Sequence, residues 1–261
     1  MRALDIAATG MQAQQTNVEV ISNNIANMNT TAYNRRRPEF TDLLYQNLRR
    51  VGATSSDVGT IVPTGIQLGL GVQTAAVYRI TQQGSLQNTN NTLDLAIQGK
   101  GYFEVQLPSG QFAYTRDGAF QLSDVGQIVT SDGYPVMPNI AINPNATGIS
   151  IDASGDVMET LDGQVVPTKV GQLTLVTFPN EAGLQATGGN LFLQTAASGP
   201  PNQGFATQPG FGSVLQGYLE TSNVNVVTEV TNLISAQRAY EMNSKVIQAS
   251  DEMLNTVNQM K

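Results

Sequence analysis

Leu4, Met11, Val18 and Ile25 recur every seven residues near one end of this chain, and Val226, Leu233, Tyr240, Ile247 and Leu254 do so near the other. A strict seven-residue apolar period fits helices that supercoil left-handedly against a partner, so it predicts a helix at each end. Ala7, Ala8, Ile21 and Met28 fill in the first stripe, and Val230, Val246, Met253 and Val257 widen the second. No proline interrupts Ala3 to Met28, and Gly10 is the one weak helix former there. Asn225 is placed to cap the second helix, with Glu229 in its first turn near the positive end of the helix dipole. The faces opposite the stripes are mostly Gln, Asn, Ser and Thr, whereas a solvent face normally carries more Lys and Glu. The simplest arrangement pairs the two helices, so that residues 1–30 and 226–261 form one coiled-coil-like assembly domain. Two amphipathic helices lying on a globular core is the competing arrangement.

Residues 31–70 show no period and are punctuated by Thr54-Ser55-Ser56-Asp57, Pro63-Thr64-Gly65 and Gly69-Leu70-Gly71. A structureless stretch of this length is unusual inside a compact domain, so it reads as a linker or an extended arm ordered by neighbours. Val58, Ile61, Val62, Ile66, Leu68 and Leu70 are too apolar for a freely solvated linker, and Pro63 sets a turn among them. The arm reading is therefore preferred.

From 71 to 225 the pattern is that of a central β domain. Strands are expected over 72–80, 93–97, 102–106, 112–114, 149–151, 171–178 and 191–194. Turn signals separate them, including Pro108-Ser109-Gly110, Asp132-Gly133, Asp162-Gly163 and Gly188-Gly189-Asn190. Asp-Gly favours tight hairpins because glycine takes positive φ without steric cost. The fold class is α+β: terminal helices, an extended arm and an all-β middle, built as a sandwich or irregular barrel.

Composition excludes several kinds of chemistry. The 261 residues contain no Cys and no His, which removes disulfides, thiol nucleophiles, His- or Cys-built zinc sites and every His-based triad. Charged residues make up 13% against roughly 25% in typical domains, so the surface repels copies of itself weakly. The net charge of −7 argues against nucleic-acid binding. That charge is uneven, with Arg35, Arg36, Arg37, Arg49 and Arg50 clustered early and Lys169 the sole base between Asp117 and Gln237. No run of apolar residues is long enough for a membrane helix, so direct membrane insertion is not expected. The sequence Met1-Arg2-Ala3-Leu4-Asp5-Ile6 lacks a basic leader before an apolar run, so a cleaved secretory signal is not expected either.

The one dense acidic cluster is Asp152, Asp156, Glu159 and Asp162. Two carboxylates alone can hydrolyse a glycosidic bond, so a cell-wall glycan hydrolase is a competing reading. The spacing does not match a calcium loop, and Ser154-Gly155 and Asp162-Gly163 read as turns whose acids face solvent. The Gly-rich stretch 65–71 has no Lys-Ser/Thr after it, so phosphate binding is not expected there. A monomeric β-rich binding module is a further alternative. Both it and the hydrolase would want aromatic platforms, yet the chain has no Trp and 6% aromatic residues.

Several segments carry a family likeness. Asn23-Asn24-Ile25-Ala26-Asn27-Met28-Asn29-Thr30-Thr31 resembles the N-terminal signature of bacterial flagellar basal-body rod and hook proteins. Gly101-Tyr102-Phe103 and Tyr114-Thr115-Arg116-Asp117-Gly118-Ala119-Phe120 look like that family's central motif. Gly217–Asn225, followed by Gln237-Arg238-Ala239-Tyr240-Glu241-Met242-Asn243, resembles its C-terminal motif. All occur in order along the chain. Length and the 46–70 arm resemble the distal-rod members most, with a proximal-rod subunit as the nearest rival. Ala32 departs from the pattern, standing where relatives often have Gly, which speaks against a positive-φ turn there.

The resemblance implies a structural subunit without catalytic residues, metal or cofactor. It implies export through the flagellum's own apparatus and assembly with copies of itself into a rigid hollow tube spanning the periplasm. Proximal-rod proteins, hook protein and the surrounding P and L rings are the implied neighbours. The tube would transmit motor torque to the hook and serve as export channel. A rod must not bend, and an arm of Val58, Ile61, Val62, Pro63, Ile66 and Leu68 lying across to the next subunit would stiffen it.

Overall fold

The apolar seven-residue series fold as two long helices, α1 (Arg2–Ala26) and α2 (Val226–Gln259), with a largely β region between them in sequence. This is the expected α+β class. The computed structural model describes residues 2–49, 64–163 and 166–260. Two compact units divide the chain: Met1–Ala26, Arg36–Arg79 and Asn225–Lys261 form one, and Asn27–Arg35 with Ile80–Val224 form the other.

In the first unit the helices pack side by side and antiparallel. Asn24 meets Glu229, and Gly10 meets Asn243. Asn225 caps α2 as expected, its side chain accepting from the Thr228 N–H at 3.1 Å. Beside the helices runs a two-stranded antiparallel ribbon. Its inner half pairs β1 (Arg36–Asp42) with β4 (Val72–Arg79), and its outer half pairs β2 (Tyr45–Arg49) with β3 (Ile66–Gly69). Leu43 N–H to Gly71 O and Leu70 N–H to Leu44 O carry the pairing across the join. Neither face of the outer half is buried: Leu44, Tyr45, Leu48, Ile66 and Leu68 are all exposed. A strand with no buried face needs no alternation of apolar and polar residues, so these strands show no period in the sequence.

The second unit holds the core. Its small sheets join β5 (Leu86–Asn88) to a C-terminal strand, and β6 (Leu95–Gln98) to another. The strands that follow are β7 (Tyr102–Gln106), β8 (Phe112–Thr115), β9 (Gln121–Leu122), β10 (Ile128–Val129), β11 (Ala146–Ile151), β12 (Asp156–Leu161), β13 (Thr168–Gln172) and β14 (Thr174–Thr177). Then come β15 (Gln185–Gly188), β16 (Leu191–Leu193), β17 (Asn202–Phe205), β18 (Ser213–Gln216) and β19 (Tyr218–Glu220). The largest sheet has six antiparallel strands in the order β15-β16-β8-β7-β14-β17. Phe103, Val105, Val157 and Leu175 are fully buried beneath it, with Phe120 edge-on to Phe103 at 5.1 Å. A smaller cluster of Tyr102, Tyr114, Val176, Phe178, Leu184 and Phe192 lies on its other face.

Two expectations need correction. The strand anticipated over 171–178 is two strands, β13 and β14, in different sheets. Leu173 sits buried at the break and its N–H turns to the Gly155 carbonyl. Ala32 does adopt positive φ, at 54°, despite its Cβ. The residue is buried, and its N–H donates to Glu220 O at 2.9 Å, a bond that holds the turn against the steric cost of the left-handed region.

Candidate assembly surface

The residues the two helices bury are mostly small: Ala7 and Ala13 of α1, with Ile21, and Ala236 and Ser250 of α2. The seven-residue series flank these residues. Leu4, Met11, Val18 and Ile25 are half-buried, as are Leu233, Ile247 and Leu254, while Val226 and Tyr240 are exposed. Beyond them α2 turns a second apolar face outward, where Val227, Ile234, Met242, Val246, Met253 and Val257 are exposed. Exposed apolar area on this scale exceeds what a helix leaves bare on a solvent face. Of the arm residues, Ile66 and Leu68 lie exposed on β3, and Val58, Ile61, Val62 and Pro63 lie outside the described residues.

Sequence reasoning missed the role of Glu229. It reads as a first-turn acid beside the helix dipole, yet it is 4% exposed and accepts a hydrogen bond from Asn24 Nδ2 at 3.2 Å. Asn24 is 1% exposed and also clamps the start of β1, donating to Arg36 O and accepting from Arg36 N–H, both at 2.8 Å. The signal available was a polar residue interrupting the inward face of each helix.

In the second unit, Arg116, Glu220 and Asn223 tie the segments that flank the strands. Arg116 is buried and reaches Glu220 Oε2 through Nη2 at 2.8 Å and Nε at 2.9 Å. Its remaining N–H groups donate to the carbonyls of Ile97, Gly99 and Gly101. Glu220 Oε1 accepts from Gly84 N–H. Nearby, Gly118 has no room for a side chain, since a Cβ would stand 1.6 Å from the Leu95 carbonyl oxygen. Asn223 accepts from Arg35 N–H and donates to the carbonyls of Ile80 and Gln82, while its own N–H donates to Tyr33 O. The central and C-terminal motifs thus meet through Arg116 and Glu220, and Asn223 ties the C-terminal motif to the backbone of Tyr33 and Arg35.

Of the acidic cluster, Asp152 and Asp162 stand exposed at turns as expected, whereas Asp156 and Glu159 lie half-buried on β12. Asp152 N–H donates to Asp156 O across the β11–β12 hairpin, Asp156 is paired with Lys169 at 2.8 Å, and Glu159 accepts from Asn143 N–H. Among the described residues no group of three or more acids is gathered as metal ligands, and no helix is long and apolar enough to cross a membrane. Glu104 is a further buried acid. Glu104 of β7 faces Tyr114 of β8 and accepts from Gln203 Nε2 at 2.9 Å. Burial raises the Glu104 carboxyl above the usual range, against the hydrogen bonds from Gln203 and Tyr114. Burial, and then the Glu104 charge, push Tyr114 up to about 12.

Helices from both chain ends, paired along a seam of small residues and apolar on the outside, define a structural building block. Three family models match the chain in order: "Flagella basal body rod protein" over residues 4–33, "Flagellar hook protein FlgE/F/G D1 domain" over 96–159, and "Flagellar basal body rod FlgEFG protein C-terminal" over 215–260. The chain is 59% identical over 261 residues to a flagellar basal-body rod protein, FlgG, of Caulobacter vibrioides, covering all of both chains. It is 54% identical to the FlgG of Agrobacterium fabrum, covering 98% of each, and 38% identical to that of Bacillus subtilis, covering 97% of each. The chain belongs to the flagellar basal-body rod protein family. It is a structural subunit of the flagellar rod, located in the basal body.

Proposed function

We propose that this subunit builds the distal part of the rod, a rigid hollow tube that carries torque to the hook and passes exported subunits through its bore. The observation that supports this most is the outward apolar face of α2, which a second copy of the same chain would cover. In this reading residues 1–30 and 226–261 are the assembly domain, 31–70 the arm and 71–225 the central domain. The neighbours are further copies, the proximal-rod and hook proteins, the P and L rings and the export apparatus. The subunit has no catalytic role and no cofactor, and binds neither nucleic acid nor membrane.

Purified protein should form straight tubes visible by electron microscopy. Replacing Ile234 and Met253 by Asp should abolish them while the β body stays folded by circular dichroism. Tubes that survive this change would show that the outward face of α2 does not drive assembly. The arm has its own test. Deleting 53–66 leaves the helical series intact, so tubes should still form but bend, with a shorter persistence length. Deletion tubes as straight as the wild type would remove the arm's stiffening role.

A further inference from the structure

We infer that the buried Asn24–Glu229 pair sets the register of α1 against α2. A seven-residue apolar stripe is degenerate: sliding one helix by seven residues lays the stripe back onto itself, so apolar packing alone discriminates poorly between registers. The structure contains one register. Asn24 meets Glu229 and Gly10 meets Asn243, so the two contacts lie fourteen residues apart on each helix, two full repeats. A slip of seven residues in one direction would bring Asn24 opposite Ala236. In the other it would carry Asn24 past the start of α2.

Either slip separates Asn24 from Glu229. The glutamate is buried at 4% exposure and would lose that donor, a loss that is costly for a charged group removed from water. The partner side is rigid, because Asn24 is already held at both ends of its amide by the Arg36 backbone. Its Nδ2 is therefore aimed independently of α2, and Glu229 is the group that must come to it. Gly10 faces Asn243 at the far end of the seam. A Cβ there would lie 2.9 Å from Asn243 Nδ2, so the native register uses the one position in α1 without a side chain. Glu229 is thus a positioning residue: it selects one of several alignments that the apolar residues tolerate.

This inference rests on the reading of the terminal helices as the assembly core, and its test separates the two. The chain has no cysteine, so introduced pairs form the only disulfides. Gly10→Cys with Asn243→Cys reports the native register, and Asn17→Cys with Asn243→Cys reports a slip of seven residues. Intrachain products are read by gel migration from the full-length protein, both in pelleted tubes and in solution where circular dichroism shows the helices formed. With Glu229 present, the native pair should form and the slipped pair should not. Glu229→Leu should keep the helical signal and lower the ratio of native to slipped product about tenfold or more. Glu229→Gln keeps an oxygen for Asn24 and should restore the native ratio. An unchanged ratio in Glu229→Leu would overturn the proposal. So would loss of the helical signal in that variant, since the pair would then serve stability and not alignment. Failure of the wild-type protein to form tubes while its helices are formed in solution would count against the rod reading alone, and the ratio measured there would still decide the register; absence of both tubes and helical signal would overturn the two together.

Discussion

Phe103, Val105, Val157 and Leu175 of the β body are fully buried, whereas α2, at 34 residues, buries Glu229, Ala236 and Ser250, one of them apolar. The two regions answer the cost of ordering a chain in different ways. The body removes large side chains from water within one subunit, each contributing about 1.5–3 kcal/mol. The helix pair buries small residues and leaves Val227, Met242, Met253 and Val257 in solvent. An isolated helix of this sort is marginal in water, because nucleation is costly and most helical stability in proteins comes from tertiary packing. On the proposed assembly, the difference teaches where each region draws its stability: the body from itself, the helices from contacts with further copies.

Hydrogen exchange gives the sharpest break. On dilute monomer, amides of 2–30 and 226–260 should exchange with little protection, while β7, β8 and β14 should exchange with the full unfolding free energy of the body. In assembled tubes the helical amides should become protected. Terminal helices strongly protected in the dilute monomer would erase the contrast and mark a self-sufficient globular fold.

Substitution in the body comes next in size. Phe103→Ala should destabilise the body by about 3–5 kcal/mol, measured by urea unfolding, through lost burial and the cavity left behind. The cost should be the same in monomer and in tubes. A loss under about 1 kcal/mol would mean that the core collapses around the gap, and that the body is packed as loosely as the helix seam.

An intermediate effect belongs to the cap of α2. Asn225→Ala removes the acceptor for Thr228 N–H and should cost about 1 kcal/mol of helix stability. In the monomer this should hardly register, since the helix is already marginal. In tubes it should raise the concentration of protein left unassembled. An equal and large effect in the monomer would show that α2 is stable on its own.

The two regions also differ in how much of them the sequence discloses. The helices are legible because their apolar residues repeat every seven positions without a proline break, and Asn225 marks the start of α2. Hairpins with a glycine at the turn, such as those at 108–110 and 162–163, are legible because positive φ narrows the choice of residue. The short strands β15, β17 and β19 are not: three or four residues, wholly exposed in β15 and without alternating burial in the other two, leave no pattern to read. The ribbon escapes for the opposite reason, since neither face of β2 or β3 is buried. In the candidate surface, the apolar series are visible and the polar pair beneath them is not. The local sign is a polar residue on the inward face of each helix; that Asn24 and Glu229 are each other's partners is not legible, because they lie 205 positions apart.

The smallest expected effect is confined to a pH window and involves the body alone. Glu104 is a carboxyl of β7 whose burial raises its folded-state value above the ordinary one. In the window between those two values the folded body binds more protons than the unfolded chain, so stability falls as pH rises through it. The stabilisation from this group is complete below the ordinary carboxylate value and is lost above the raised one. A Glu104→Gln variant removes the titration while keeping an oxygen for Gln203 Nε2 and the Tyr114 hydroxyl. Its melting temperature, compared with wild type at matched pH, should coincide at the acid end and exceed the wild type's at neutral pH. The helix pair should show no such difference, because the change lies wholly within the other unit. A variant less stable than wild type at neutral pH would mean that the charged carboxylate gains more from its two donors than burial costs it. Glu104 would then be a stabilising charge.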